Sequence, residues 1–219
     1  MLSLSLDLPR DRAPRLLVLG AHSDDIEIGC GGTVRSLLER HPGAEVRWVV
    51  FAAGDRARAA EARAAAKRFL RGAGASEVTT HGFRDGFFPA EFADLKGAFE
   101  ALKAGAPAPD LVLTHRRRDH HQDHRQLSEL TWNTFRDAAI LEYEIPKYDP
   151  DLGNPNLFVP LTRAQAEEKV AILMSEFPTQ RHRAWFTPDT FLGLMRLRGV
   201  QCNAPSGFAE GFYAPKLRL

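Results

Sequence analysis

Two short stretches of the chain carry residue types suited to hydrolysis. The first, Ala21-His22-Ser23-Asp24-Asp25-Ile26-Glu27, holds one imidazole and three carboxyls. The second runs from His115 to His124 and holds three consecutive arginines, Arg116, Arg117 and Arg118, followed by His121-Gln122-Asp123-His124. Two imidazoles and a carboxylate, with a fourth position left for water, make an open catalytic zinc site. His22 and Asp25 can supply two ligands from one turn, and His124 the third from the start of a later helix. Zinc lowers the pKa of its water from about 15.7 to ~7, which makes hydroxide available at neutral pH. Asp24 then remains as general base, a role that requires it to come within about 3 Å of that water. His121, protonated across the site, would stabilise an oxyanion or protonate a departing amine. Asp123 would orient His121 or His124 from behind. Zn²⁺ is the preferred ion, and the same donor set accepts Fe²⁺ or Co²⁺.

Each stretch alone has a plainer reading. Carboxylates at a helix start favour the positive end of the helix dipole, and a histidine-rich loop is commonly surface. The elements around them decide the matter. Arg15 to Ala21 is a continuous apolar run, the pattern of a strand buried on both faces of a parallel sheet. Gly29, Gly31 and Gly32 read as a turn leading into a helix over Thr33 to Arg40, stopped by Pro42-Gly43. Glu45 to Ala53 reads as a second strand, Arg56 to Gly72 as a helix, and Val78 to Phe83 as a third strand. A helix follows on Phe92, Leu95, Phe99 and Leu102, then a strand over Leu111 to Thr114, a helix from His124, and a fifth strand over Ile140 to Ile145. Alternating strands and helices predict an α/β fold with a mostly parallel sheet. In the doubly wound order 3-2-1-4-5, strands one and four flank the switch point, where ligands bind beyond the strand ends. The two reactive stretches follow those two strands, so His22, Asp24 and Asp25 are expected to face His121, Asp123 and His124.

After strand five the pattern loosens. Lys147 to Pro160 reads as a long ordered loop. Thr162 and Gln165 form a capping box for a helix to about Glu176, and Thr187-Pro188 opens another that ends at Gly199. Gly211 to Leu219 is a last strand or a tail, and residues 1 to 13 an irregular arm. The whole, 1–219, reads as one domain. With 44% hydrophobic and 26% charged residues and a net charge of +1, the 219-residue chain has neither the basic excess of a nucleic-acid binder nor an apolar run that spans a membrane. No signal peptide is expected. Cys30 and Cys202 make neither a metal pair nor a disulfide framework, which points to a reducing cytoplasm.

The stretch Ala21 to Glu27 resembles the Ala-His-Pro-Asp-Asp-x-Glu motif of the LmbE/PIG-L family of zinc-dependent N-deacetylases, with Ser23 in the proline position. His121 to His124 resembles that family's His-x-Asp-His. Arg58 and Glu61 resemble its Arg-x-x-Glu, and Asp85 follows strand three where a substrate-binding acid is usual. The resemblance covers most of residues 15 to 145. It implies a Rossmann-like three-layer sandwich and hydrolysis of an acetamido group, commonly on N-acetylglucosamine. By motif, His22, Asp25 and His124 become metal ligands, Asp24 the base, and His121 with its partner Asp123 the oxyanion side. The expected partner is a small amino-sugar substrate, touched by Arg58, Asp85, His115 and Arg116, in a monomer or homo-oligomer. Arg116 to Arg118 would meet a phosphate or nucleotide on it, since arginine contacts phosphate in bidentate fashion. Two rivals remain: an amidase for a sugar–thiol conjugate on the same site, and a non-catalytic sugar- or nucleotide-binding Rossmann-like protein.

Overall fold

The apolar run at Arg15 becomes the central strand, β1 (Arg15–His22), with Leu16 and Val18 facing one layer and Leu17, Leu19 and Ala21 the other. The computed structural model describes residues 5–217. Residues 1–4 of the expected arm, and 218 and 219 of the expected tail, lie outside the described residues. Eleven further regular elements that bear on the site follow β1: α1 (Asp25–Arg40), β2 (Glu45–Ala52), α2 (Arg56–Phe69), β3 (Ala75–Thr80), α3 (Phe92–Ala104), β4 (Leu111–His115), α4 (Gln122–Thr134), β5 (Ala139–Tyr143), β6 (Leu157–Leu161), α5 (Arg163–Glu176) and α6 (Pro188–Gln201). A last strand, β7 (Phe208–Tyr213), closes the series.

The sheet order is β3-β2-β1-β4-β5-β7-β6. Its first five strands are parallel and stand in the order expected from the sequence. One apolar layer fills the space between the sheet and α1, α2, α5 and α6, and a second lies under α3 and α4. The α/β three-layer sandwich is therefore as expected, and β1 and β4 are neighbours at the switch point. Among the described residues, no helix is long and apolar enough to cross a membrane.

Three local expectations change. The glycines at 29, 31 and 32 do not make a turn; α1 starts at Asp25 and runs through them. A Cβ on Gly29 would stand 2.1 Å from the Tyr143 ring, on Gly31 2.6 Å from Phe69, and on Gly32 2.5 Å from Leu161. They cost helix propensity of roughly 0.5–1 kcal/mol each relative to alanine, and in return they let α1 lie tight against β5, α2 and β6. The expected loop over 147–160 ends in β6, which pairs antiparallel with β7 alone, at the sheet edge, where Pro160 loses nothing by lacking an N–H. The final strand lies at Phe208–Tyr213, earlier than Gly211 to Leu219, and joins β5 antiparallel. The capping box holds: Thr162 Oγ1 accepts from Gln165 N–H, and the Gln165 side chain accepts from Thr162 N–H. Thr187 caps α6 with Pro188 in its first turn.

Candidate metal centre

β1 ends at His22, and α1 begins three residues later with Asp25, so the turn between them aims both side chains across the switch point. β4 ends at His115, and α4 brings in His124 from its first turn. The two stretches meet, as expected. His22 Nδ1 lies 3.1 Å from Asp25 Oδ2 and 3.1 Å from His124 Nε2, and that Nε2 is 3.4 Å from Asp25 Oδ2. A tetrahedral ion with arms of about 2.1 Å sets its ligand atoms about 3.4 Å apart. The three atoms therefore form one face of such a tetrahedron.

The backs of both imidazoles support the same arrangement. His22 Nε2 lies 3.2 Å from Asp123 Oδ2 and 3.1 Å from Asp85 Oδ1, while His124 Nδ1 lies 3.0 Å from Asp119 Oδ2. A carboxylate behind an imidazole is the arrangement that orients metal-binding histidines; at His124 it is a close charge contact, since Nδ1 makes no hydrogen bond to Asp119. Asp123 thus differs from expectation: it backs His22, and Asp119 takes the place behind His124. Asp123 also accepts from Gly86 N–H at 2.6 Å and Phe88 N–H at 3.1 Å, so one carboxylate ties the loop carrying Asp85 to the metal triangle. Gly86 makes this possible with φ +81°, a conformation in which a Cβ is strained. Asp119 accepts from His121 N–H at 2.8 Å and pairs with Lys147 Nζ at 3.0 Å. Sequence reasoning passed over Asp119 because it sits inside a run of Arg and His; its spacing of five before His124 was the available signal.

The electrostatics favour a cation. Burial raises the Asp25 carboxyl, but His124, His115 and His22 around it hold it well below the usual carboxylate range. Burial lowers the His22 imidazole, and Asp25, Asp123 and Asp85 more than offset that, leaving it raised well above its ordinary value. An environment that draws protons onto imidazole this strongly also suits a divalent ion. The donor set, the spacing of the triangle and the carboxylate behind each histidine all fit Zn²⁺.

The other expected residues divide. Asp24 is buried against Arg58, whose Nη2 lies 3.0 Å from its Oδ1. Burial and Asp25 raise the Asp24 carboxyl while Arg58 lowers it, and the balance is upward. Arg58 is held in turn by Glu61 at 3.1 Å, and Glu61 accepts from Thr179 N–H and Oγ1. This gives the Arg-x-x-Glu spacing its physical reason: the glutamate aims the arginine at Asp24. His121 Nδ1 accepts from Asp123 N–H at 3.2 Å, so its Nε2 carries the proton. Burial and the neighbouring His124 and His22 lower the His121 imidazole, which favours its neutral form over the protonated one expected from the sequence. His115 is fully buried, and its Nε2 accepts from Ala21 N–H at 2.9 Å. It is placed behind Asp25, away from any substrate, and burial lowers its imidazole to about 4. Asp85, by contrast, is exposed at the mouth of the site. Arg116 lies over the Tyr213 ring and donates to the Asp151 carbonyl. Glu27, whose role was open between helix cap and support for His22, does neither. It is fully buried with both oxygens unpartnered, and burial, with Asp24 and Asp25 adding to it, pushes its carboxyl well up.

The fold and this centre define a class: Rossmann-like α/β proteins with a two-histidine, one-aspartate site at the switch point. The sequence profile of the PIG-L family, described as GlcNAc-PI de-N-acetylase, matches residues 17–135, and the chain belongs to that family. Among solved structures, GalB, the 4-carboxy-2-hydroxymuconate hydratase from Pseudomonas putida KT2440, superposes with a TM-score of 0.75 at 20% identity, over 94% of this chain and 98% of its own. The N,N'-diacetylchitobiose deacetylase from Pyrococcus horikoshii gives 0.67 at 21% identity, over 95% of this chain and 86% of its own. The zinc-inhibited form of teicoplanin deacetylase Orf2 gives 0.69 at 15% identity, over 91% and 97%. No curated protein matches the chain significantly by sequence. At these identities the solved structures bear on the fold alone.

Proposed function

We propose that the protein is a metal-dependent N-deacetylase that releases acetate from an N-acetyl amino sugar or its conjugate. The observation that carries this is the triangle of His22 Nδ1, Asp25 Oδ2 and His124 Nε2, with edges of 3.1 to 3.4 Å and Asp24 beside it. These three residues would hold the ion, Zn²⁺ by preference. When bound there, it supplies a Lewis acid for the acetamide carbonyl and acidifies water.

The chain's own residues do the rest. Asp24 takes a proton from the attacking water, and its raised carboxyl suits a base that works near neutral pH. Arg58 keeps that carboxylate oriented. His121 Nε2–H donates to the oxygen that gains charge as the carbonyl becomes tetrahedral, a neutral hydrogen bond of the oxyanion-hole kind. Asp24 then returns its proton to the nitrogen as the C–N bond breaks and is restored as carboxylate; the remaining acid proton passes to the released amine, so acetate and an ammonium group leave. Asp85, exposed and tied to the site through Asp123, is the group best placed to accept from sugar hydroxyls.

The test is an acetate-release screen over free, glycosidic and nucleotide-linked N-acetyl amino sugars, with and without chelator. Acetate release that chelator abolishes is the expected result. Full activity and full metal content in His124→Ala would overturn the ligand assignment. Because the same scaffold carries a hydratase, the screen includes an unsaturated oxo-dicarboxylic acid. Hydration of that acid without acetate release from any amide would overturn the deacetylase reading.

A further inference from the structure

The turn that carries Asp85 places a second group of metal-ligating side chains against the other nitrogen of the His22 ring. One ligand atom from each of His22, Asp85, His121 and Asp123 lies within 4.8 Å of the other three. Asp85 Oδ1 stands 3.1 Å from His22 Nε2, and Asp123 Oδ2 stands 3.2 Å from it. These are the edge lengths found in the triangle on the Nδ1 side. His121 completes the group, with its ring centre 4.8 Å from that of His22.

The backbone holds this outer group in place. Asp123 accepts from Gly86 N–H at 2.6 Å and Phe88 N–H at 3.1 Å, and Gln122 Nε2 donates to the Gly86 carbonyl at 3.1 Å. The Asp85 side chain is 75% exposed even though its oxygen reaches His22, so the group is open to solvent.

Charge and ligand number say what it takes. His22 Nε2 carries at most one proton, and two carboxylate oxygens face it. Carboxylates that share a site repel each other unless a cation lies between them. A divalent ion in place of that proton meets both oxygens, and its two charges balance Asp85 and Asp123. Imidazole nitrogen with carboxylate oxygen is a zinc donor set. The inner triangle offers three protein ligands and leaves a position for water, the form of a catalytic zinc site. The outer group offers four, which fill a tetrahedron and leave none.

We infer that the protein has a second, outer site for a divalent ion such as Zn²⁺, formed by His22, Asp85, His121 and Asp123, and that filling it stops catalysis. His22 then serves both ions, Nδ1 toward the inner and Nε2 toward the outer, and its Nε2 proton leaves to solvent. The outer ion occupies His121, which the reaction needs at the oxyanion, and Asp85, which faces the sugar. The inhibition rests on the deacetylase reading; the binding does not.

Two measurements on the full-length protein test this. In the first, bound Zn²⁺ is counted by equilibrium dialysis over rising free Zn²⁺ for the wild type, Asp85→Asn and His121→Asn. Asp85 is exposed, and asparagine at 121 keeps an acceptor for Asp123 N–H at the start of α4; thermal unfolding checks both folds. A residue behind a metal ligand is already worth about 10–100-fold in affinity, so loss of a ligand should cost at least about tenfold. The wild type should bind two equivalents. Each variant should weaken one of them by that factor and keep the other, and His124→Ala should remove the one they keep. A single equivalent in the wild type would overturn the inference, as would a second that both variants bind as tightly as the wild type. In the second, acetate release is followed as Zn²⁺ is added to the metal-loaded enzyme. It should fall as the second equivalent binds, and in Asp85→Asn the inhibiting concentration should rise at least about tenfold. Undiminished turnover with both equivalents bound would overturn the inhibition. Two equivalents bound, with no acetate released from any N-acetyl compound, would sink the deacetylase reading and leave the outer site standing.

Discussion

Buried charge occurs in two very different settings in this molecule. In the C-terminal part, Lys169 Nζ lies 2.6 Å from Glu210 Oε1, and Glu210 also accepts from the N–H groups of Gly32 and Thr33. Arg198 grips Glu144 with two bonds, at 2.6 and 2.7 Å. There each carboxylate oxygen has its donors, and nothing further is needed. At the metal centre, Asp25 Oδ2 instead stands 3.1 to 3.4 Å from imidazole nitrogens of His22, His115 and His124 at once. His22 Nδ1 and His124 Nε2, each with a carboxylate oxygen near the ring's other nitrogen, stand 3.1 Å apart. The first kind of charge is closed and fastens elements together. The second is convergent: imidazole nitrogens and a carboxylate oxygen gather at one point, the arrangement that suits a cation. Geometry, and not burial, separates scaffold from site.

The largest effect should follow from opening the convergent set. Asp25→Ala or His124→Ala removes one corner of the triangle, and both metal content and acetate release should fall. Loss of a Lewis acid worth several kcal/mol predicts a rate drop of at least about 10³-fold. Metal analysis beside the assay checks it; a variant that keeps full metal would refute the assignment. Asp24→Asn should separate binding from chemistry. It keeps the triangle and takes away the base, so kcat should fall by about 10²–10⁴-fold with metal content retained.

The closed set should respond in stability and not in chemistry. Lys169→Met strands Glu210 in the interior, and breaking one side of a buried pair costs about 3–5 kcal/mol. Pairing it with Glu210→Gln should recover most of that loss, which denaturant unfolding would measure. If the double variant were no more stable than the single, Lys169 would be acting by packing and the distinction between the two settings would weaken.

The parts of this contrast visible in the sequence are those encoded locally. Apolar runs ending in His22 and at Thr114 marked β1 and β4, and the doubly wound order brought their reactive ends together without any structure. Nothing local marks what depends on distant partners. Gly29, Gly31 and Gly32 look like a turn until Tyr143, Phe69 and Leu161 are seen pressed against them. β6 and β7 are antiparallel neighbours separated by α5 and α6, so no tight turn announces them. The motif-bearing aspartate, Asp123, was expected behind His121 or His124, but ring orientation is set in three dimensions and it backs His22.

Asp119 tests the contrast most finely, because it belongs to both settings. Its Oδ1 is closed, pairing with Lys147 and accepting from His121 N–H, while its Oδ2 stands behind the metal-facing His124. Burial raises its carboxyl, but His124 and Lys147 hold it well below the usual range, so it is ionised wherever the enzyme works. Asp119→Asn keeps the shape and the acceptor for His121 N–H while removing the charge behind His124. Carboxylates in that position are worth about 10–100-fold in metal affinity or activity. Metal affinity should therefore weaken by about that factor, with thermal stability of the metal-free protein little changed because Lys147 keeps its second partner, Asp151, at 2.5 Å. If the variant instead lost stability and kept its metal affinity, Asp119 would belong with Glu144 and Glu210 as a fastening for the 147–151 loop, and the carboxylate behind His124 would have no part in holding the ion.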